Sequence, residues 1–426
     1  MIQPKDQTVR SLSLSPRWLP ITALTALVAA GTFSACGDDE TSIGTGGSGG
    51  GAGVGGSAGL GGSAGALDAG TAGDGGSSAT DAGAGSGVTG TVTQLSADAA
   101  LLFPTTAAFR GNDVFVVNGQ LDALGGSPTL PFTVVSIPLA GGAINNTINL
   151  PGNTFFPEGI AAASDGTLYV GSTQQGTIVR VPPNTTTPDA TPFMAAGIAQ
   201  RGVIGLEVDP VHSLLWFCDS NPAGPGGADL VGVDLANGTE AVRHAVPNPV
   251  ASTPDAGLDA GVDAGADAGD AGAAPADAGA TAGPTAFCND VVVQSTGNVF
   301  FTDSTGRIFR IPSASARTPN SAQVWLEGPS VSSPTPGGFG ANGLALVGDQ
   351  LIIANTDHLI AVDPDSNNAA STVRTISLTE GGAAVTLCGP DGLETVPGSN
   401  SDLVVVENGG CAAARDRVVR VSLRGL

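Results

Sequence analysis

Side chains that offer hard oxygen donors recur about once per repeat along this 426-residue chain: Thr105 or Thr106, Glu158, Asn289, Asn342 and Asp391, with apolar Ile204 in the remaining repeat. In four repeats the residue is followed by glycine (Glu158-Gly159, Ile204-Gly205, Asn342-Gly343, Asp391-Gly392), which suits backbones crowded around a common axis. Carboxylate and amide oxygens converging on one point, with no histidine or thiolate among them, favour Ca²⁺ or a similar hard cation over Zn²⁺. The same residues beside glycine are also ordinary turn formers, which a repeat protein places periodically whether or not a metal binds.

The elements that must position these residues are read from the stretch Phe287–Ser304 and the Arg307–Pro312 segment after it. An apolar strand follows Asn289, a Gly-Asn turn reverses it, an aromatic strand ends at Thr302-Asp303-Ser304, and an alternating strand runs outward. The second strand recurs as Val114–Asn118, Leu168–Ser172, Leu214–Asp219, Leu351–Asn355 and Leu403–Glu407. Internal repetition of this kind specifies a ring. Start-to-start spacings of 54, 46, 85, 52 and 52 residues fit four short strands per repeat once an insertion is removed. Outer strands are expected near 143–150, 191–195, 240–246, 322–326 and 372–378. The sixth repeat ends after its third strand, and Thr91–Ser96 precedes the first with nothing of its own to pair with. The expected fold is therefore all-β: a six-bladed β-propeller over residues 91–426 whose N-terminal strand closes the last blade.

Composition bounds the rest. Residues 37–90 and 252–284 are runs of Gly, Ala, Ser, Thr and Asp, which bury too little apolar area to offset chain entropy. They read as a tether and as a disordered insertion between blades. Upstream, Lys5, Arg10 and Arg17 precede a short apolar run, and Phe33-Ser-Ala-Cys36 closes it. This is the pattern of a signal peptide over residues 1–36. Two outcomes stay open: a bacterial lipobox with Cys36 lipidated, or ordinary secretion with cleavage after Ala35. Either way the chain is expected to be exported; with Cys36 lipidated it is expected at the cell envelope, touching membrane only through that lipid anchor.

The formal charge is −23 with no basic cluster, which argues against nucleic acid. Twelve of the acidic residues lie in the two low-complexity runs, so the remainder is still near −11. If Cys36 carries lipid, four cysteines remain, and four allow three pairings. Cys218 with Cys288 and Cys388 with Cys411 are favoured because they fall in consecutive repeats and in one repeat. The alternative for each is a small buried hydrophobe. His212, His244 and His358 are placed in outer or connecting positions at the surface, so nothing supports a histidine-based nucleophile.

The order Glu, a skipped blade, then Asn, Asn and Asp in consecutive blades resembles the SMP-30/gluconolactonase/luciferin-regenerating-enzyme family. Blade four, Asn289–Val293 through Phe301-Thr-Asp303, is the most similar. The resemblance implies that Glu158, Asn342 and Asp391 bind one divalent cation, most readily Ca²⁺, and that Asn289 contacts substrate or a water beside it. It further implies metal-assisted hydrolysis of a lactone or ester by a monomer, with Asp391 as ligand and general base. Three features depart from the family. Phe287 stands where sugar lactonases carry a substrate-holding Arg, the Pro-Pro-Tyr-Gly that often follows Phe-Thr-Asp is absent, and one blade precedes the Glu blade. The missing Arg bears on sugar substrates more than on the metal. The competing reading is a non-catalytic surface propeller, similar to NHL-type scaffolds, that binds protein or glycan.

Overall fold

A computed structural model describes residues 87–221, 227–249, 285–335, 338–409 and 416–426. The signal segment, Cys36, nearly all of the tether, the 252–284 run and Cys411 lie outside the described residues. Six sheets, antiparallel but for one parallel pair in the last, follow one another around a ring. Blade one is built from strands 104–110, 113–118, 133–138 and 146–149, and blade two from 157–162, 168–172 and 178–181. Blades three and four comprise 203–209, 214–220, 228–234 and 240–246, then 288–293, 299–303, 307–311 and 323–327. Blade five has 341–347, 350–355, 358–362 and 374–375.

Blade six combines 390–395, 402–407 and 417–424 with the N-terminal strand Thr89–Ser96, which pairs antiparallel with Arg417–Arg424. The ring is thus closed by a strand from the opposite end of the chain. That strand starts earlier than the expected tether boundary at 90, because Val88 and Val92 are buried in the core between blades five and six. Two outer strands also differ from expectation. In blade two the 191–195 stretch contributes only an isolated bridge, Ile178 to Met194. The 372–378 stretch divides between blades: Arg374–Thr375 pairs with blade five, while Ser377–Glu380 runs parallel to the N-terminal strand and covers its free edge.

The second strands are apolar without interruption because each blade is covered on both faces by its neighbours. Phe115 and Val117 face blade two while Val114 and Val116 face blade six. Phe300 faces blade five and Phe301 faces blade three. Six such cores, one per blade interface, hold the ring together by apolar burial. A disulfide between Cys218 and Cys288 adds a covalent tie between blades three and four, across the chain that contains the 252–284 run. Cys411, the other half of the second expected bridge, is outside the described residues.

Each second strand ends in a polar residue, and the structure gives these ends a common task. Asn118 Oδ1 accepts from Leu102 N at 3.0 Å, Asp219 Oδ1 from Arg201 N at 2.8 Å, Asp303 Oδ1 from Phe287 N at 2.9 Å and Glu407 Oε1 from Cys388 N at 2.5 Å. A polar side chain at or one short of the end of the second strand therefore clasps the loop that enters the first strand of the same blade. That loop carries the axial residues.

Candidate functional site

In all six blades the pairing between first and second strands breaks at the same place. Cys288 pairs with Asp303 and Val291 with Phe301, so three steps on one strand oppose two on the other. The same shift lies between Pro104 and Ala107, Pro157 and Ile160, Val203 and Leu206, Ala341 and Leu344, and Pro390 and Leu393. A bulge of one residue turns its unpaired side chains out of the ladder. The residues it releases are Thr105, Glu158, Ile204, Asn289, Asn342 and Asp391, each with its successor. The glycine successors allow neighbouring blades to close up: a Cβ on Gly159 would overlap the Ile204 carbonyl oxygen, and one on Gly343 the Asp391 carbonyl oxygen.

Glu158, Asn289, Asn342 and Asp391 line one cavity of about 370 Å³ at the axis, with Ile204 and Asn408. Thr105 and Thr106 do not join them, since both hydroxyls donate to the Glu158 carbonyl oxygen, at 2.9 and 2.5 Å, and anchor its backbone. Asn289 Nδ2 donates to Ser304 Oγ at 2.9 Å, and Ser304 donates on to the Ala341 carbonyl oxygen of blade five. Asp391 Oδ2 accepts from Asn408 Nδ2 at 2.7 Å, and Asn342 also hydrogen-bonds this carboxyl.

Two oxygens in the cavity have no partner at all: Glu158 Oε2 and Asn342 Oδ1, both buried. A buried acceptor left unmade costs about 1–3 kcal/mol, so two of them aimed into one cavity need an explanation. A divalent cation would satisfy both. Among the described residues no three His, Cys, Asp or Glu side chains gather as a metal site by themselves. The set that fits a hard cation is mixed, two carboxylates and one amide oxygen, in keeping with oxygen-only ligation.

The electrostatics point the same way. Burial pushes the Glu158 carboxyl well above the usual range, and the charges of Asp391 and Asp290 push it further. Asp391 is raised to about 8 by burial and then by Asp290, against the lowering effect of Asn342 and Asn408. Carboxyls so placed either hold a proton near neutral pH or meet a cation.

Beneath the site the channel holds a second group of carboxyls that the sequence reading missed. Glu207, Asp290 and Glu394 line a space of about 220 Å³ among apolar residues such as Leu206 and Leu344. Asp290 fills the position glycine takes in four other blades, and its Oδ2 accepts from Leu344 N of blade five at 2.9 Å. Burial raises Asp290 to about 7 and Glu394 to about 8, with Asp290 adding to the latter, and raises Glu207 in the same direction. Their signal in the sequence is a charged residue inside an otherwise apolar first strand.

Asn408 and Phe103 were also missed. Asn408 follows Glu407 as Ser304 follows Asp303, and Phe103-Pro104 repeats as Phe156-Pro157, so both could have been found by aligning the repeats residue by residue. The histidines need one correction. His244 is fully buried, against Trp216 at 5.7 Å, and its ring nitrogens meet the Ala316 carbonyl and Ser321 N. It fills the interface of blades three and four. His212 is half-buried on Asp209 and Ser313, so neither is at the axis.

A family model described as strictosidine synthase-like, N-terminal, matches residues 146–181, the end of blade one and the blade that carries Glu158. No curated protein matches the chain. Among solved structures, a calcium-binding protein, regucalcin, from Agrobacterium tumefaciens is 13% identical, with 79% of this chain and 96% of that one covered and a TM-score of 0.50. A protein of unknown function from Bacteroides thetaiotaomicron is 12% identical over 79% of this chain and 76% of its own, also at 0.50. A catalytically inactive virginiamycin B lyase from Staphylococcus aureus is 12% identical over 78% and 99%, at 0.47. At such identities the likeness is one of fold, a β-propeller.

Proposed function

We propose that the chain is a divalent-cation-dependent hydrolase of lactones or esters, with Ca²⁺ held by Glu158, Asn342 and Asp391. The observation that carries this reading is the pair of buried, unpartnered oxygens, Glu158 Oε2 and Asn342 Oδ1, in the cavity that Asp391 also lines. The likeness to a calcium-binding regucalcin and the ordered Glu, Asn, Asn, Asp quartet agree with it.

A bound cation supplies Lewis acidity toward a carbonyl oxygen. The remaining work falls to the chain's own groups. Asn408 and Asn342 fix the Asp391 carboxyl by hydrogen bonds, and the carboxyl so oriented would accept a proton from an attacking water. Ser304 takes the amide nitrogen of Asn289, which leaves Oδ1 free to accept from substrate or water. Thr105 and Thr106 hold the Glu158 backbone while its carboxyl remains uncommitted.

We place the protein at the cell envelope, exported and anchored by lipid at Cys36. Detergent partitioning of wild type and Cys36→Ser tests this, since only a lipidated chain enters the detergent phase. Calorimetric titration with Ca²⁺, alongside hydrolysis of a lactone and ester panel, tests the function. Cation binding with no turnover on the panel would favour the non-catalytic scaffold.

A further inference from the structure

Apart from the quartet, Asp122 and Asn408, the cavity is lined by apolar and aromatic side chains. Phe103, Leu121, Leu124, Ile204, Phe287 and Phe339 surround it, and its charged lining residues are the carboxylates Asp122, Glu158 and Asp391. Among the described residues, no lysine or arginine lines it.

The aromatic wall is built. Phe103 sits at φ 47°, a conformation that a bulky side chain rarely adopts without support. Its N–H donates to Asp416 Oδ2 at 2.7 Å and its carbonyl accepts from Gly119 N at 3.1 Å, so the backbone is held from both sides. Residues forced into such regions cluster at binding sites. Phe287, whose N–H is clasped by Asp303, meets Phe339 edge-on with ring centroids 5.2 Å apart. Phe339 is 60% exposed, a phenyl ring left in water at the lip of the cavity.

A polyhydroxylated sugar would leave hydroxyls unpaired against these rings, and an anionic acid would meet three carboxylates set against the two charges of a single cation. An apolar group buried there gains free energy on leaving water.

We infer that the substrate is a neutral, hydrophobic lactone or ester, whose aryl or medium-chain alkyl group packs on Phe103, Phe287 and Phe339 while its carbonyl faces Asn289 and Asp391. The inference rests on the hydrolase reading of the same cavity. The reaction is plain hydrolysis: a water oxygen bonds to the acyl carbon, the bond from acyl carbon to ring or ester oxygen breaks, and the water's proton ends on that leaving oxygen. Nothing is oxidised or reduced. A cavity of about 370 Å³ lies within the range of small-molecule sites.

The test compares the full chain with Ca²⁺ on dihydrocoumarin, a bicyclic aromatic lactone, and on glucono-δ-lactone. The expected result is a kcat/KM at least about tenfold higher for dihydrocoumarin. Phe339→Ala, at a position 60% exposed, should lower that value on the order of tenfold, mainly through KM, with the circular dichroism spectrum unchanged. Preference for glucono-δ-lactone, or a Phe339→Ala variant equal to wild type on dihydrocoumarin, overturns the substrate class and leaves the hydrolase reading standing. Turnover of neither lactone by a protein that binds Ca²⁺ overturns both.

Discussion

Asn408 Nδ2 donates to Asp391 Oδ2 at 2.7 Å, and in blade four Asn289 Nδ2 donates to Ser304 Oγ at 2.9 Å. Asn408 and Ser304 both follow the last residue of a second strand, and Asp391 and Asn289 both sit on the first-strand bulge. One repeated contact thus supports a proposed ligand in one blade and a proposed substrate contact in the other.

Removing the support from Asp391 should loosen the cation site. Partners behind a ligand are typically worth 10- to 100-fold in metal affinity. Asn408→Ala is therefore expected to weaken Ca²⁺ binding by about tenfold or more while the circular dichroism spectrum stays that of the wild type. Titration calorimetry on both proteins checks it, and equal affinities would show that Asp391 needs no such support.

The channel carboxyls make stability depend on pH in a defined direction. Glu394 and Asp290 are raised to about 8 and about 7 in the folded protein, mainly by burial, and Glu207 is raised as well. Over that interval the folded state holds protons that an unfolded chain with ordinary carboxyls has released, so stability falls as pH rises. This contribution is fully present below the ordinary carboxyl range and is lost as pH climbs through about 7 to 8. In EDTA, the melting temperature is expected to fall between about pH 5 and about pH 8. Glu394→Gln, neutral throughout, should shrink the fall. Melts across this range decide the matter, and a melting temperature that rises would contradict the assignment.

Ring closure should be costly to undo. The strand Thr89–Ser96 lies between Arg417–Arg424 and Ser377–Glu380 and buries Val92 and Leu95. A chain starting at residue 98 loses those apolar contacts and exposes strand edges on both sides. It is expected to melt several degrees lower or to aggregate, while a chain starting at residue 87 keeps the wild-type melt. Equal melting temperatures for the two would contradict closure by this strand.

Much of this architecture was legible because two local rules repeat. The second strands are apolar on both faces, since blades cover both, and each ends in a polar residue that clasps the incoming loop, as Asp303 does Phe287. Glu158, Asn289, Asn342 and Asp391 could be aligned because the bulge falls at one register in every blade. The channel carboxyls were hidden by the same bulge, which upsets the alternation that would have marked Glu207 and Glu394 as facing the axis. Phe339 comes from a loop, where no period operates. The division of the 372–378 stretch depends on pairing with residues 89–92, a contact nothing local encodes.

The central claim is that Glu158, Asn342 and Asp391 together hold one divalent cation, and thermal melts in EDTA and then in excess Ca²⁺ test it most directly on wild type and Asp391→Asn. Ligand at a hundredfold above its dissociation constant stabilises the folded state by about 2.7 kcal/mol, a shift on the order of a few degrees for a domain of this size. Wild type is expected to melt higher in Ca²⁺ than in EDTA, and Asp391→Asn to melt at the same temperature in both. Identical melts in all four conditions would contradict the cation site and the hydrolase reading built on it.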